Sequence, residues 1–193
     1  MHNNPVDINQ ILNQLLDADS LLISEFLQFF ELKEFSQHEY FLKEGQTINK
    51  IGIIIKGVVR LYSVDNAGNE SILYLLSEGS FVMGSFVPVN ASSVNIQCIT
   101  DSTILVAEYN KLLTFMENNN KFRSIFERNL SSVHQRVLLR LTQYVRLEAK
   151  DRYLLFLNEY PNLINRIPHY YIANYLGIST TQLSRIRHKL AKK

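Results

Sequence analysis

Near the C-terminal end of the chain a single glycine separates two helix-forming stretches, and that spacing restricts the available folds more than any other feature. Ile172-Ala173-Asn174-Tyr175-Leu176 runs into Gly177, and Ser179-Thr180-Thr181-Gln182-Leu183-Ser184-Arg185-Ile186-Arg187 follows at once. Pro168 suits the first turn of the earlier helix, where no backbone donor is needed. Ile172 and Leu176, four apart, give that helix an inner stripe, and small Ala173 lets a neighbour approach closely. Gly177 falls where a helix ends in a left-handed residue. Ser179 offers a hydroxyl cap for the restart, and Gln182 three residues on completes a capping box. Leu183, Ile186 and Leu190 form the inner stripe of the second helix. Thr180, Thr181, Ser184, Arg185 and His188 are left outside, with Arg187, Lys189, Lys192 and Lys193 nearby. A helix-turn-helix with a short polar face and a basic end suits the major groove of DNA. A solvated helical hairpin is the plainer alternative; the coincidence of cap, turn glycine and basic face favours DNA.

Charge is distributed to match. The net charge of +2 over 193 residues conceals two unlike parts. Residues 1–135 carry nine Lys/Arg against fifteen Asp/Glu, whereas residues 136–193 carry eleven against three, Glu148, Asp151 and Glu159. A basic C-terminal module on a mildly acidic body fits nucleic acid as partner. Basic charge alone supplies affinity without sequence choice. No apolar run approaches the roughly 18 residues of a membrane span. The N-terminus lacks the basic region and apolar block of a secretory signal. A single Cys98 excludes an intramolecular disulfide framework and fits a reducing cytoplasm.

The rest of the chain divides by period. Residues 6–34 place Ile8, Ile11, Leu12, Leu15, Leu16, Leu21, Leu22, Phe26, Phe29 and Phe30 at three-and-four spacing, which predicts short amphipathic helices. Over residues 35–110, β-branched and aromatic runs such as Ile51–Tyr62, Ser71–Leu76 and Ser93–Ile99 are punctuated by Gly45, Gly57, Gly68 and Gly79. Short strands at intervals of about ten residues predict a small antiparallel barrel or roll. From Tyr109 the helical period returns, breaks at Asn118-Asn119-Asn120, and resumes with Phe122, Phe126, Leu130, Val133, Val137, Leu141 and Val145. A helix this long with an apolar seam needs a partner, either its own roll or a second copy. Lys150-Asp151 reads as a hinge, with Asp151 capping a helix Arg152–Glu159 that Pro161 ends.

The run Tyr171-Ile172-Ala173-x-Tyr175-Leu176-Gly177-Ile178-Ser179-x-x-x-Leu183-Ser184-Arg185-Ile186-Arg187 resembles the helix-turn-helix of the Crp/Fnr family of bacterial transcription regulators. Asp151-Arg152-Tyr153 with Tyr160-Pro161 fits as well. The Glu44-Gly45 turn, Lys56-Gly57-Val58-Val59-Arg60 and the Gly68 turn resemble the jelly roll of its cyclic-nucleotide-binding domain. The resemblance implies an α+β fold. N-terminal helices and a cupin-type double-stranded jelly roll would occupy residues 1–119, a dimerisation helix 120–149 and a winged helix-turn-helix 150–193. It implies a homodimer paired through Phe126, Leu130, Val133, Val137 and Leu141, with recognition helices about 34 Å apart on a near-palindromic operator. Of the Arg, Glu and Arg that the family sets at its base-reading positions, this chain has Thr180, Thr181 and Arg185, so only the last arginine is kept. Backbone contacts are expected from Ser179, Gln182, Arg187, His188, Lys192 and Lys193. RNA polymerase and a small-molecule effector are further partners the resemblance implies. As the chain runs only a few residues past the recognition helix, any wing is expected around Leu163–Ile167.

The sensor part departs from the family. Cyclic AMP needs a cation for its phosphate, and no Lys or Arg lies between Arg60 and Lys111. The corresponding turn reads Gly79-Ser80-Phe81-Val82-Met83-Gly84-Ser85, and Ser92, Ser93, Val94 and Asn95 stand where the family has Arg-Ser. Burying a phosphate without a cation is costly, so cyclic AMP is disfavoured. Gly79, Ser80, Gly84, Ser85, Ser92, Ser93 and Asn95 are the candidates to line a pocket for an uncharged effector, and a loop without any ligand is an equal alternative. One cysteine cannot hold an iron–sulfur cluster, and no His lies between His38 and His134 to make a metal cupin. No nucleophile elbow, phosphate loop or paired carboxylates point to catalysis. The competing reading is a small-ligand-binding roll that acts through protein–protein contacts rather than DNA.

Overall fold

The computed structural model describes residues 8–18, 20–85 and 90–191. They form two compact units. One extends to Leu61 and resumes over Leu75–Leu130; the other joins Tyr62–Tyr74 to the chain from Ser131 onward.

The first unit begins with α1 (Ile8–Leu16) and α2 (Ser20–Leu27) and contains most of an eight-stranded antiparallel roll. Its strands are β1 (Phe30–Phe35), β2 (Tyr40–Leu42), β3 (Lys50–Lys56), β4 (Val59–Val64), β5 (Glu70–Leu76), β6 (Phe81–Val82), β7 (Asn95–Cys98) and β8 (Ser102–Glu108). They make two four-stranded sheets of order β1-β8-β3-β6 and β2-β7-β4-β5. The apolar run of β3 is explained by burial on both faces. Ile51, Ile53 and Ile55 pack with Leu12, Leu16 and Phe26 of the N-terminal helices, while Ile54 faces the roll interior with Ile96, Cys98 and Ile104. α3 (Tyr109–Asn118) and the start of α4 (Asn120–Arg146) close the same outer cluster through Tyr109, Leu112, Phe122 and Ile125. At the expected break, Asn119 Oδ1 accepts from Phe122 N at 3.0 Å.

One expectation fails here. The helical spacing of residues 6–34 carries through Phe29 and Phe30, yet β1 starts at Phe30 and pairs with β8 along its whole length, from Phe30↔Ala107 to Phe35↔Ser102. Pairing with a distant strand overrides the local period.

In the second unit, the hairpin arm Tyr62–Tyr74 stands with the rest of α4, α5 (Ala149–Glu159), a single 3₁₀ turn at Leu163–Asn165, α6 (His169–Tyr175) and α7 (Thr180–Ala191). Tyr153, Phe156, Leu163, Ile167, Tyr171, Ile172, Ala173, Tyr175, Leu176 and Leu183 are its buried apolar residues in the helical part. Phe156, Tyr160 and Tyr175 stack with ring centroids 5.2–6.0 Å apart. Helix α5 begins earlier than expected: Glu148 occupies the N-cap position. Asp151 is therefore not the cap. It lies in the first turn, where its charge complements the helix dipole. The stretch Leu163–Ile167, the expected source of a wing, holds only the 3₁₀ turn, and among the described residues no strand follows β8. The fold is thus α+β: an antiparallel roll, a long helix and a C-terminal helical group. No helix among the described residues is long and apolar enough to cross a membrane.

Candidate nucleic-acid interface

The turn between α6 and α7 forms as its residues dictate. Gly177 is left-handed at φ 64°. Its N–H donates to Asn174 O at 3.0 Å and that of Ile178 to Ala173 O at 3.0 Å, the paired closure of a Schellman motif. A β-carbon on Gly177 would stand 2.9 Å from Tyr144 Cε1, so conformation and space both demand glycine. Ser179 Oγ accepts from Gln182 N at 3.1 Å, which is the expected cap.

Leu183 anchors α7 in the core, and Thr180, Thr181, Gln182, Ser184, Arg185, His188 and Lys189 are exposed. Thr181, Arg185 and His188 follow one another at four and three residues along one face, with Thr180 and Ser184 beside them. Among the described residues no hydrogen bond or ion pair holds Arg185, so its guanidinium is free to reach outward. Ser179 is exposed at the entrance of the helix. Arg187 differs from its neighbours. It is half-buried, with Nη1 2.7 Å from His169 Nδ1 and 3.0 Å from His169 Nε2, turned toward the first residue of α6. Lys192 and Lys193 lie outside the described residues.

Three side chains that sequence reasoning missed support the turn from behind. Tyr175 O, an orphan carbonyl at the end of α6, accepts from Arg140 Nη2 at 2.9 Å and from the Tyr144 hydroxyl. Leu176 O accepts from Arg152 Nε at 3.2 Å, and Arg152 Nη1 donates to Leu147 O at 2.7 Å. The Arg140 guanidinium also lies 3.9 Å from the Tyr175 ring centroid. Burial pushes the phenols of Tyr160 and Tyr175 above their ordinary range, so both stay neutral in this core. The four-residue spacing of Arg140 and Tyr144 was the available signal, but nothing local tells that they face α6.

Along α4 the seam divides. Phe126 packs against the outer core cluster of the first unit, beside buried Phe122 and Ile125. Leu130 and Val133 are half-buried. Val137 and Leu141 are exposed, and so are Leu138, Leu139 and Val145, which makes the later half of α4 an uncovered apolar strip.

Among the described residues, those expected to line an effector pocket are largely engaged in the packing and hydrogen bonds of the roll itself. Gly79 and Ser80 form a turn stitched to β3, with Gly79 N donating to Ile54 O at 2.9 Å and Ile54 N to Ser80 O at 3.0 Å. A β-carbon on Gly84 would meet Leu42 Cδ2 at 2.5 Å, so this glycine serves packing. Ser92 Oγ donates to Val94 O at 2.7 Å, and Asn95 Oδ1 accepts from Glu44 N at 3.0 Å. Ser85 is half-buried and Ser93 exposed. The nearby cation Arg60 is buried, its Nε and Nη2 2.9 and 2.7 Å from Gln97 Oε1. Cys98 is buried in the roll, where desolvation pushes its thiol up to about 11, and at neutral pH it is not a reactive thiolate.

Residues 32–119 match the family model of the cyclic nucleotide-binding domain. No curated protein sequence matches the chain. Solved structures do. FixK2 of Bradyrhizobium japonicum superposes with a TM-score of 0.76 at 16% identity, over 84% of this chain and 85% of that one. The c-di-GMP-responsive global regulator CLP of Xanthomonas campestris gives 0.72 at 17%, over 90% and 92%. The catabolite activator protein of Thermus thermophilus gives 0.58 at 20%, over 94% and 86%. At these identities the likeness is one of fold. Residues 32–119 are thus similar to a cyclic nucleotide-binding domain, and the chain as a whole shares the fold of these three regulator structures.

Proposed function

We propose that this chain is a sequence-specific DNA-binding transcription regulator of the Crp/Fnr type, working as a homodimer on a near-palindromic operator. The observation that carries this reading is a capped helix whose exposed face presents Arg185 unengaged, behind a glycine turn braced by α4 and α5. Arg185 suits a bidentate grip on guanine O6 and N7, and Thr180 and Thr181 suit a thymine methyl or a single hydrogen bond. Ser179, Gln182 and His188 meet the phosphates. Arg187 serves them only if it leaves His169, so its part in backbone contact is smaller than the sequence suggests.

Selection from random oligonucleotides tests this. The purified protein should enrich an inverted repeat with one constant guanine per half-site, and binding should weaken steeply with salt. Arg185→Ala should cost about 1–3 kcal/mol per half-site and relax preference at that one base pair. A preference unchanged in the variant removes Arg185 from the reading.

The effector, where one acts, is not cyclic AMP held in the family manner. Support comes from Ser92, whose hydroxyl is bonded to Val94 O, from Asn95, whose carboxamide oxygen is bonded to Glu44 N, and from Arg60, engaged by Gln97. Titration calorimetry with cyclic AMP should give no saturable heat at micromolar ligand. A micromolar isotherm of one site per chain would reverse this assignment.

A further inference from the structure

Strand β5 lies at the edge of its sheet, so among the described residues one side of its backbone has no strand partner. Between Glu70 and Ile72 that side is nevertheless engaged. Asn174 Nδ2 donates to Glu70 O at 2.8 Å, and Asn174 Oδ1 accepts from Ile72 N at 2.7 Å. A carboxamide carries the same donor and acceptor as a peptide group, so one side chain of α6 pairs with β5 as a further strand would. Arg140 completes the arrangement. Its Nη2 donates to Ile72 O at 2.9 Å and lies within 2.9 Å of Tyr175 O and 3.1 Å of the Tyr144 hydroxyl.

We propose that Asn174 and Arg140 form a latch that clamps the β4–β5 hairpin to the helix preceding the recognition helix, and so sets the orientation in which α7 is offered to DNA. Both are positioning residues. The hairpin strands continue as unbroken chain into Val59–Leu61 and Leu75–Leu76, which belong to the roll's unit. The latch therefore ties α6 to the outer part of that hairpin. No cation lies between Arg60 and Lys111 to hold a charged effector in the family manner, and the latch keeps the binding-competent orientation without one. This rests on the proposed DNA binding.

The test pairs Asn174→Ala with Arg140→Lys in the full chain, using hydrogen exchange and operator titration. Asn174→Ala should speed exchange of the Ile72 amide at least tenfold. It should raise the operator Kd about tenfold, on the order of what one or two hydrogen bonds contribute net. Base preference, dimer mass and the active fraction from stoichiometric titration should stay unchanged, which separates mispositioning from partial unfolding. Arg140→Lys keeps the charge but loses the planar guanidinium that lies against the Tyr175 ring and fixes the direction of its donors, and should weaken binding in the same direction. Unchanged Ile72 exchange, unchanged affinity or tighter binding would each overturn the latch. A wild-type protein that binds no operator would end the DNA reading, while Ile72 exchange would still decide whether the clamp exists.

Discussion

Gly57→Ala is expected to lower the thermal midpoint of the roll by roughly 10 °C or more. Gly57 sits at φ 109°, a region that side chains rarely enter. The added carbon would stand 2.2 Å from Ser102 Oγ and 2.8 Å from the backbone oxygen of Asp101. A flexible side chain could yield, but a carbonyl of the β7–β8 turn cannot move without disturbing the strands it joins. Ser102 is itself buried and donates to Thr100 O at 2.8 Å. Conformational strain of about 1–3 kcal/mol and overpacking of similar size add to about 2–6 kcal/mol, a large part of a domain's total stability. Gly45→Ala is the control. It too has a positive φ, 79°, but nothing lies within 4 Å of the added carbon, so only a loss of about 1–2 kcal/mol is expected. Differential scanning calorimetry of the two variants separates strain from collision; equal losses would mean that the Ser102–Asp101 wall yields.

On the proposed homodimer, Leu141→Asp with Val145→Asp is expected to give a monomer without lowering stability, and to weaken operator binding by about a hundredfold or more. Leu138 is 51% exposed, Leu141 58% and Val145 85%, values that leave little for their own chain to lose. Three and four residues apart, they lie in one strip that a second copy can cover. Burying such side chains contributes about 1.5–3 kcal/mol each. Across two chains that outweighs the cost of association, whereas four carboxylates facing one another reverse it. Loss of pairing costs DNA affinity because a dimer engages two half-sites in one binding event, and a monomer engages one. Sedimentation equilibrium from about 1 to 100 μM, run beside operator titrations, checks both. The same substitutions at Phe126 would answer a different question, because Phe126 packs into the core of its own chain. A variant still dimeric at 1 μM would show that pairing uses another surface.

The C-terminal helices were legible because each signal that builds them is local. The Ser179 cap acts on a residue three positions away, the Gly177 turn closes within five, and the stripe ending in Leu183 follows the helical repeat. The roll was legible at lower detail. Turn glycines and β-branched runs located most of its strands, and the all-apolar run of β3 announced burial on both faces.

What the chain alone determined was therefore the kind and order of its elements, together with the face of α7 that carries Arg185. Tertiary structure decided the rest, through groups far apart in sequence. Phe30–Phe35 became a strand because β8 pairs with it more than 60 residues on. Arg187 turned inward because His169 waits 18 residues back, and the edge of β5 found its cover in Asn174, 102 residues away. A hydrogen bond between distant residues leaves no period and no spacing in the sequence. Its partners are chosen only when packing brings them within 3 Å and strips away the water each would otherwise bind.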